Sequence, residues 1–543
     1  MASKKVAIVG GGCSGLAAFW ALKDSGHEVH LFEAASRLRG LTHVVQYEEK
    51  GYQIGVDSGL ACFQASTSRE LLPIWSLSQE LTRGAANLYA FLRELQIPCH
   101  DTEFSIASSR LEDSFEWRSS SLFAILSRNL LRLDMWRMLI DIAKFNYFAL
   151  DLLRNEQCAK RNRPRTRRRA SKPSSRPQSQ RSIGTFLANE GYSNAFRDNY
   201  LIPLITVLWN VYNPRDALEL PIVLLLHFLA DCDLLRSSLF WSKWMFVRDP
   251  LNELEATITE SAPPERIHLN TKVKSINQSH KPGWLKVERG GQIEDFNHVI
   301  IATSAHEALR MISASATDKE IQVLSEFQSV RTVGILHSDT TLMPKRKRVW
   351  ATFNHMTKSP ISSSDNSQFC TSLYMNRLQG IPEATYGPVL ITLNPISPLH
   401  PLHVQGIWEY SRFIFNNRAL ESQKILLQIQ NTRRVSYCGP WTGYGRYEDA
   451  VRSAFQVAVD HLGAELPFGV MADDPSSVVS MKVPDLKLRD MPVRFLLRVV
   501  LVIYWILGIV RRVVLYFQMA WRRMREMKVE RGGRYGVWMK KDV

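Results

Sequence analysis

The stretch Val6-Ala-Ile-Val9-Gly10-Gly11-Gly12-Cys13-Ser14-Gly15 decides how the N-terminal part of this chain folds. Its apolar residues 6–9 predict a short buried strand, and the pattern from Ser14 to Ser25 predicts an amphipathic helix that ends at Gly26. The run Glu28-Val-His-Leu-Phe32 predicts a second strand. A strand, a helix and a strand within about thirty residues form a β-α-β unit, in which the two strands run parallel.

Three glycines of this stretch have the G-x-G-x-x-G spacing of a dinucleotide-binding turn. Gly10 permits the tight turn, Gly12 lets the backbone approach a pyrophosphate, and Gly15 lets the helix and the strand pack closely. The helix that starts near Ser14 supplies amide donors to the phosphates. Glu33 follows the second strand, where a carboxylate accepts hydrogen bonds from both ribose hydroxyls and repels a 2′-phosphate. The sequence therefore predicts an adenine dinucleotide site, and this motif suits NAD and FAD equally.

The net charge of +16 at pH 7 comes mainly from two segments of the 543-residue chain. Residues 159–182 contain ten basic residues and no acidic one, and residues 481–543 carry a net charge of +10. Together these segments carry +20, so the rest of the chain is near −4. A nucleic-acid-binding protein needs its positive charge on a folded face, so we expect no nucleic-acid partner. A hydrophobic content of 45% predicts a folded globular chain rather than a disordered one.

Cysteines and histidines form no metal-binding or hydrolytic pattern. The seven cysteines are scattered without paired spacing, which predicts reduced thiols in a cytosol-facing protein and no metal site. His43, His337 and His355 are candidates for acid–base work, although a buried structural histidine is the commoner role. Ser-His-Asp, HExxH and P-loop patterns are missing from the sequence, which disfavours hydrolysis and nucleoside triphosphate chemistry. The catalytic residues stay unassigned, and the chemistry is expected to reside in the cofactor.

Three further segments resemble those of flavin-containing amine oxidases. The run Arg37-Leu-Arg39-Gly40 is similar to their arginine and paired glycines, although Arg39 replaces one glycine, and Gly55-Val-Asp57-Ser-Gly59 is similar to the next flavin-proximal segment. The run Tyr437-Cys-Gly439-Pro-Trp441-Thr-Gly443-Tyr444-Gly445-Arg-Tyr-Glu448 resembles the last glycine-rich element of the NAD(P)/FAD-binding oxidoreductase subgroup of bacteria and fungi. The resemblance extends over roughly residues 4–463.

This resemblance implies an α/β fold, with a Rossmann-type FAD-binding domain and an inserted α+β substrate lobe. The tail, which the resemblance does not cover, adds a C-terminal apolar helix by its own pattern. It also implies FAD as the cofactor, bound without a covalent tether because the Ser-Gly-Gly-Cys-Tyr run of some relatives has no counterpart here. From the first motif and the resemblance together, the expected cofactor contacts are Gly10, Gly12, Ser14, Gly15, Glu33, Arg37, Asp57, Val273, Gly439, Trp441, Gly443, Tyr444 and Glu448.

The expected domain organisation interleaves two lobes along the chain. The FAD-binding domain takes residues 4–75, 246–310 and 431–465, and the substrate lobe takes 76–245, with a basic loop at 159–182, and 311–430. A linker at 466–491 leads to a membrane-associating helix at 492–525.

The C-terminal helix is expected to associate with a membrane. Its uncharged run from Val499 to Val510 has twelve residues, fewer than the about twenty that a simple span needs. Four arginines share one face of the helix: Arg494, Arg498, Arg512 and Arg523. This stripe predicts a helix in the plane of an anionic membrane surface, while snorkelling of Arg498 also allows a single span. The expected location is the membrane, with the catalytic body facing the cytosol; the alternative is a helix packed on the protein's own body.

The expected function is an FAD-dependent oxidoreductase that takes a hydride from a hydrophobic small molecule, such as a lipid or a secondary metabolite. The apolar segments Leu201–Trp209 and Ile222–Phe228 either line the pocket or belong to the core. One alternative is a flavin-dependent isomerase or desaturase of an unsaturated lipid. An alternative of another class is a membrane-bound flavoprotein scaffold without catalysis.

Overall fold

A computed structural model describes residues 3–38, 40, 44–59, 62–64, 85–112, 115–119, 132–155, 181–209, 211–232, 234–235, 244–247, 250–358, 368–471 and 488–538. His43, nearly all of the basic loop expected at 159–182, and most of the linker expected at 466–491 lie outside these residues.

A parallel sheet of five strands contains the β-α-β unit that the sequence predicted. Its strands, in spatial order, are β10 (Ile267–His268), β2 (Glu28–Phe32), β1 (Lys5–Val9), β14 (His298–Ile301) and β20 (Val435–Tyr437). Each pair of neighbours is parallel. The inner strands read as continuous apolar runs because both faces of a parallel sheet are covered.

The helices of the described part of the chain carry the labels used below. They are α1 (Cys13–Ala21), α2 (Ala86–Glu94), α3 (Leu133–Phe148), α4 (Ile183–Asn189), α5 (Asn194–Phe196), α6 (Ile202–Trp209), α7 (Pro214–Glu219), α8 (Ile222–Asp231), α9 (Pro250–Glu260), α10 (Ala305–Ile312), α11 (Asp318–Leu324), α12 (Met375–Leu378), α13 (Glu383–Tyr386), α14 (Asn417–Ile425), α15 (Tyr447–Leu462) and α16 (Met491–Trp538). One turn of π-helix, Arg197–Leu201, joins α5 to α6.

Helix α1 is buried along its whole length, with at most 8% of any of its nine residues exposed. It lies on the parallel sheet and packs against α15 and α9, and its Trp20 ring lies 5.0 Å from Phe91 of α2. The prediction of an amphipathic helix over Ser14–Ser25 was therefore wrong in length and in polarity, because later helices cover the side that the pattern assigned to solvent.

A mixed sheet of seven strands forms the second large element. In spatial order it consists of β19 (Val404–Phe413), β15 (Ser329–His337), β18 (Leu390–Leu393), β17 (Phe369–Tyr374), β16 (Phe353–Thr357), β7 (Ile106–Arg110) and β8 (Glu116–Arg118). Three smaller sheets accompany it: β11 (Val273–Gln278) with β12 (Leu285–Arg289) and β13 (Gln292–Phe296); β3 (Val44–Glu49) with β4 (Tyr52–Asp57); and β5 (Cys62–Gln64), β9 (Trp244–Phe246) and β6 (His100–Thr102).

Three large groups of apolar side chains hold these layers together. Two cover opposite faces of the parallel sheet, one with α1, α2 and α15 and the other with α10 and α11. The third, larger group fills the space between one face of the seven-stranded sheet and the helices α3 to α8. Tyr444, next to the last glycine motif, belongs to this larger group, so the apolar core of the helical layer reaches the parallel sheet's edge.

Candidate cofactor and substrate site

The carboxyl ends of three parallel strands bring the two glycine-rich segments together. Val9 lies beside Ile301, and Ile301 lies beside Tyr437. The chain thus leaves β1 and β20 at the same edge, at Gly10 and Cys438. This edge is where open parallel sheets bind their ligands.

Steric packing explains the glycines of the first motif. Gly10 has φ +108°, and a Cβ there would lie 3.0 Å from the Ala302 carbonyl oxygen. A Cβ on Gly15 would lie 1.8 Å from the Gly10 carbonyl oxygen, so only glycine fits. Gly12 differs, because a Cβ there would have the Gly40 Cα, at 3.5 Å, as its nearest neighbour. Gly10 and Gly15 are therefore required by the fold itself, whereas Gly12 leaves space beside the backbone.

Glu33 sits directly behind this turn. Its carboxylate accepts hydrogen bonds from the Gly11 amide at 2.6 Å and from the Ala35 amide at 2.8 Å. The Glu33 carbonyl accepts a hydrogen bond from the Thr271 amide at 2.8 Å, two residues before Val273. The structure thus brings Glu33 and the start of β11 to the same end of the glycine turn, where the sequence placed an adenosine.

A buried carboxylate shapes the second glycine motif. Asp449 accepts hydrogen bonds from the amides of Tyr444 and Arg446, both at 3.0 Å. Burial raises the pKa of this carboxyl, but Arg446 and Arg452 lower it by more, so its pKa lies below the ordinary value. A Cβ on Gly443 would lie 2.4 Å from Asp449 Oδ1, which explains the glycine.

Ser14 of the first motif lowers the pKa of the Cys438 thiol in the second, so the two side chains are neighbours. Burial raises the pKa of Cys438 to about 12, with Ser14 opposing the shift. Cys438 therefore remains a protonated thiol within the core. This is consistent with a cofactor held without a covalent bond.

Trp441 and Glu448 have contacts that the sequence did not reveal. The Trp441 indole N–H donates to the Thr303 carbonyl at 3.0 Å, and the ring lies in the core beneath the edge. The Glu448 carboxylate accepts hydrogen bonds from the Leu88 amide and the Asn87 side chain, both at 2.7 Å, and so holds the start of α2. Arg37 is exposed after Glu33. Their contact with a cofactor stays a prediction.

Asp57 is buried at the end of β4, where Gln379 holds its backbone. The Gln379 side chain donates to the Asp57 carbonyl at 2.9 Å, and Asp57 Oδ1 accepts the Gly59 amide at 2.7 Å. The segment that resembled a flavin-proximal loop is therefore tied to α12.

Aromatic side chains surround Tyr444. Trp209 donates from its indole N–H to the Tyr444 carbonyl at 3.2 Å, and the Phe228 ring lies 5.9 Å from the Tyr444 ring. Phe415 lies 6.0 Å from Trp209. The segments Leu201–Trp209 and Ile222–Phe228, which sequence left open between pocket and core, thus end at this aromatic group. Sequence reasoning missed Phe415, because nothing in its local pattern sets it apart.

Arg446 is a further residue that the sequence did not single out. Its guanidinium lies 2.9 Å from Asp231 and 3.2 Å from Asp449, and 4.9 Å from the centroid of the Tyr444 ring. Burial lowers its pKa, but the two carboxylates raise it by more, so its pKa lies above the ordinary value. Arg446 is therefore a charged group whose partners are built into the fold.

His337 and His355 lie in the seven-stranded sheet. Burial lowers the pKa of His337 to about 4 and that of His355 to about 3. Both are therefore neutral at pH 7, which disfavours a role as a protonated acid.

The edge has the features that FAD requires. Helix α1 starts after the N-cap Gly12, which has no side chain to bond the first-turn amides, and a Cβ on Gly12 would meet no described atom closer than the Gly40 Cα at 3.5 Å. Glu33 stands where ribose hydroxyls would be bound. The residues of the first motif therefore fit the adenosine and pyrophosphate part of FAD.

Residues 13–377 match the family described as flavin containing amine oxidoreductase, and the chain belongs to this family. Members of the family bind FAD, so the chain is an FAD-dependent oxidoreductase. The predicted family, fold class, cofactor and enzymatic nature are confirmed. The domain boundaries and the site residues stay predictions.

Several solved structures share the fold. Cyclohexylamine oxidase from Brevibacterium oxydans IH-35A has 13% sequence identity and a TM-score of 0.56, over 85% of this chain and 99% of that chain. The CLA-producing fatty acid isomerase from P. acnes has 12% identity and a TM-score of 0.53, over 84% of this chain and 98% of that chain. At such identities the similarity shows the fold alone. A search of curated proteins found no match.

Proposed function

We propose that the protein takes a hydride from a hydrophobic small molecule, such as a lipid or a secondary metabolite. The observation that carries this proposal is the continuity of the apolar core between Tyr444 and helices α6 and α8. The charged groups beside Tyr444 are paired with each other, as Arg446 is with Asp231 and Asp449. An apolar molecule suits such surroundings, because a polar one would lose its hydration without replacement partners.

The chain's own residues bind and orient the cofactor and the substrate, and they exclude water from the site. FAD, when bound, supplies the electron acceptor for a hydride. The α1 amides and Glu33 would hold its adenosine diphosphate part. Asp449 holds the backbone amides of Tyr444 and Arg446 in place, and the apolar rings of Trp209 and Phe228 lie beside Tyr444.

The test is anaerobic titration of the purified holoprotein with amines and unsaturated lipids, each as a long-chain and a short-chain compound. We expect loss of the oxidised flavin absorbance with long-chain compounds only. Trp209→Ala should weaken this response, and Trp284→Ala, in the turn before β12, is the matched control. Reduction by short polar compounds alone would contradict the proposal. A lipid recovered with a moved double bond and no net flavin reduction would indicate isomerisation instead.

We also propose that α16 holds the protein at a membrane surface with the body on the cytosolic side. The segment Met491–Val510 is long and apolar enough to cross a membrane, with a mean hydropathy of 2.3 and 6% of it buried. Its outward face carries apolar side chains, such as Phe495 at 70% exposure and Ile503 at 52%. An apolar face of this size is unusual for a surface in water.

Contacts with α3 favour a helix that lies on the membrane over one that crosses it. Arg494 is buried and hydrogen-bonds Asp151 and the Tyr147 carbonyl, and Arg137 lies 4.4 Å from the centroid of the Tyr504 ring. These contacts run antiparallel along α3, so this part of α16 lies flat on the protein body. Arg494 therefore faces the protein and does not belong to the expected membrane-facing row of arginines. The side chains of Arg512 and Arg523 lie outside the described residues.

Fractionation tests this arrangement. A chain that ends at Leu488 should retain flavin and move to the soluble fraction. The pair Ile503→Lys and Ile506→Lys, on the outward face, should do the same in the full chain, whereas Arg418→Lys, elsewhere on the surface, should not. A full-length protein that is soluble without detergent would contradict membrane binding, and resistance of the double variant to extraction would indicate a span.

A further inference from the structure

One row of side chains crosses all seven strands of the large sheet on the face that meets the helices. Paired residues on neighbouring strands define the row, in spatial order Trp408, Gly334, Leu393, Thr371, His355, Ser108 and Trp117. Paired residues of a sheet point to the same side. This face belongs to the larger apolar core, since Trp117 and Trp408 pack within it.

Three members of the row carry polar atoms without a hydrogen-bond partner among the described residues. They are both ring nitrogens of His355, the Thr371 hydroxyl and the Trp408 indole nitrogen. His355 is fully buried, and 2% of Thr371 is exposed. Buried polar groups in folded proteins are almost always hydrogen-bonded. An entire imidazole without a partner therefore indicates that something else supplies one.

One helix connects the strand of His355 to the flavin-binding edge. Helix α6 packs on β7 and β16, the strands that carry Ser108 and His355. The last residue of α6, Trp209, donates to the Tyr444 carbonyl of the second glycine motif. Helix α6 therefore connects the strand that carries His355 to that motif.

The other end of the row meets the π-helix. The Trp117 indole N–H donates to the Asn199 carbonyl at 2.8 Å, and Asn199 lies in the π-helical turn Arg197–Leu201. π-helical turns occur often at functional sites, because they change the direction of side chains locally. The His355 ring is fixed from the side by Phe369, with 4.8 Å between the ring centroids.

The chemistry of the row limits what it binds. A neutral imidazole has one donor and one acceptor nitrogen, and a threonine hydroxyl both donates and accepts. Burial lowers the pKa of His355 to about 3, so the ring carries no charge with which to attract an anion. A neutral oxygen atom complements this set.

We propose that His355 and Thr371 bind a hydroxyl or carbonyl oxygen of the otherwise apolar substrate and so determine specificity. This inference rests on the proposed function and deepens it, because it assigns the substrate a neutral oxygen function on an apolar skeleton. Trp408 contributes a third donor at the far end of the row.

The test compares three compounds of nearly equal shape: ethylbenzene, 1-phenylethanol and acetophenone. Their affinities for the purified holoprotein are measured from the increase in melting temperature with ligand concentration. We expect the two oxygen-bearing compounds to bind at least about tenfold more tightly than ethylbenzene, the scale of a hydrogen bond to a buried group. His355→Leu should bring this ratio close to one, and His355→Gln, which keeps a donor and an acceptor, should restore part of it.

His337→Leu is the matched control, because His337 is a buried neutral histidine on the opposite face, with its Nε2 2.7 Å from Thr392 Oγ1. It should lower the melting temperature and leave the ratio unchanged. His355→Leu should melt at the same temperature as the parent or higher, since it removes polar atoms that lack partners.

Equal affinity of the parent for all three compounds, including no binding of any, would overturn the inference. So would an unchanged ratio in His355→Leu together with a lower melting temperature, which would make His355 structural. Flavin reduction by the long-chain compounds is measured separately. If it persists while oxygen selectivity is missing, the proposed function stands and only this inference fails.

Discussion

The glycine-lined edge of the parallel sheet and the His355 row of the seven-stranded sheet offer hydrogen bonds in different ways. At the edge, backbone amides of α1 are the donors, and the side chains around them are removed or small, as at Gly12 and Gly15. In the row, side chains such as His355 and Thr371 are the donors and acceptors, on strands whose backbone is already paired. Backbone donors suit a cofactor that many related proteins share, whereas side-chain donors can differ between proteins with one fold.

The two faces of the seven-stranded sheet extend this comparison. On the face opposite the row, Ser372 Oγ lies 2.7 Å from Thr392 Oγ1, which in turn lies 2.7 Å from His337 Nε2. Ser372 also donates to the Leu342 carbonyl at 2.8 Å. The hydroxyls of Ser372 and Thr392 and the Nε2 of His337 are therefore paired on that face, whereas His355, Thr371 and Trp408 of the row have no such partners among the described residues.

The largest effect is expected at the glycine edge. Gly15→Ala places a Cβ 1.8 Å from the Gly10 carbonyl oxygen and should prevent folding of the parallel sheet. Gly12→Ala has 3.5 Å to its nearest neighbour and should fold, but its methyl group takes space that a pyrophosphate needs. Circular dichroism and flavin content of the purified variants measure the two effects. Full flavin content in folded Gly12→Ala protein would refute the assignment of this edge.

Low pH should destabilise the seven-stranded sheet, which carries His355 and His337. The neutral His355 and His337 have folded pKa values of about 3 and about 4, below the ordinary value of 6.5. Between pH 6.5 and these folded pKa values, the unfolded chain binds more protons than the folded chain. The contribution of the two neutral histidines to stability is therefore complete above pH 6.5 and is lost as the pH falls towards about 4 for His337 and about 3 for His355. Each histidine contributes up to about 1.4 kcal/mol per pH unit. Chemical denaturation at several pH values checks this, and His355→Gln should flatten the slope while the exposed His280→Gln should not.

Replacement of Glu33 tests whether its carboxylate binds the ribose of FAD. Glu33→Ala removes the acceptor of the Gly11 and Ala35 amides and of the expected ribose hydroxyls, and should weaken FAD binding by about 1–3 kcal/mol. Glu33→Gln retains an acceptor and should cost less. Equilibrium binding of FAD to the apoprotein provides the measurement. If both variants bind as the parent does, the adenosine lies elsewhere.

The smallest effect separates the two faces of the seven-stranded sheet at adjacent residues. Ser372→Ala breaks the Thr392 and Leu342 hydrogen bonds and should lower the free energy of unfolding by about 1–2 kcal/mol. Thr371→Val, on the row's face, removes a hydroxyl without a partner and should change stability by less than about 0.5 kcal/mol. Denaturant unfolding compares them. A larger loss in Thr371→Val than in Ser372→Ala would mean that the row is an ordinary structural network.

The sequence predicted the nucleotide-binding edge of the parallel sheet but not the side-chain contacts around it. The first motif was readable because Gly10, Gly15 and Glu33 act on one another within a single β-α-β unit. Contact of Glu448 and Trp441 with the cofactor stays a prediction, and the structure adds protein partners for both: Glu448 bonds Asn87 and Leu88, and Trp441 bonds Thr303. Those partners are far away in sequence, so no local pattern reveals them. Arg494 was likewise assigned to a membrane-facing stripe before its pairing with Asp151 was visible.

The sequence by itself determined the family, the cofactor and the position of the nucleotide edge, because glycine spacing and strand–helix periodicity are properties of short stretches. Only the tertiary structure decided which polar side chains of the seven-stranded sheet have partners. A strand's side chains alternate between two faces, and a shift of one residue would exchange them. The register that turns His355 and Thr371 towards the helices, and Ser372 and Thr392 away from them, is set by pairing between distant segments of the chain.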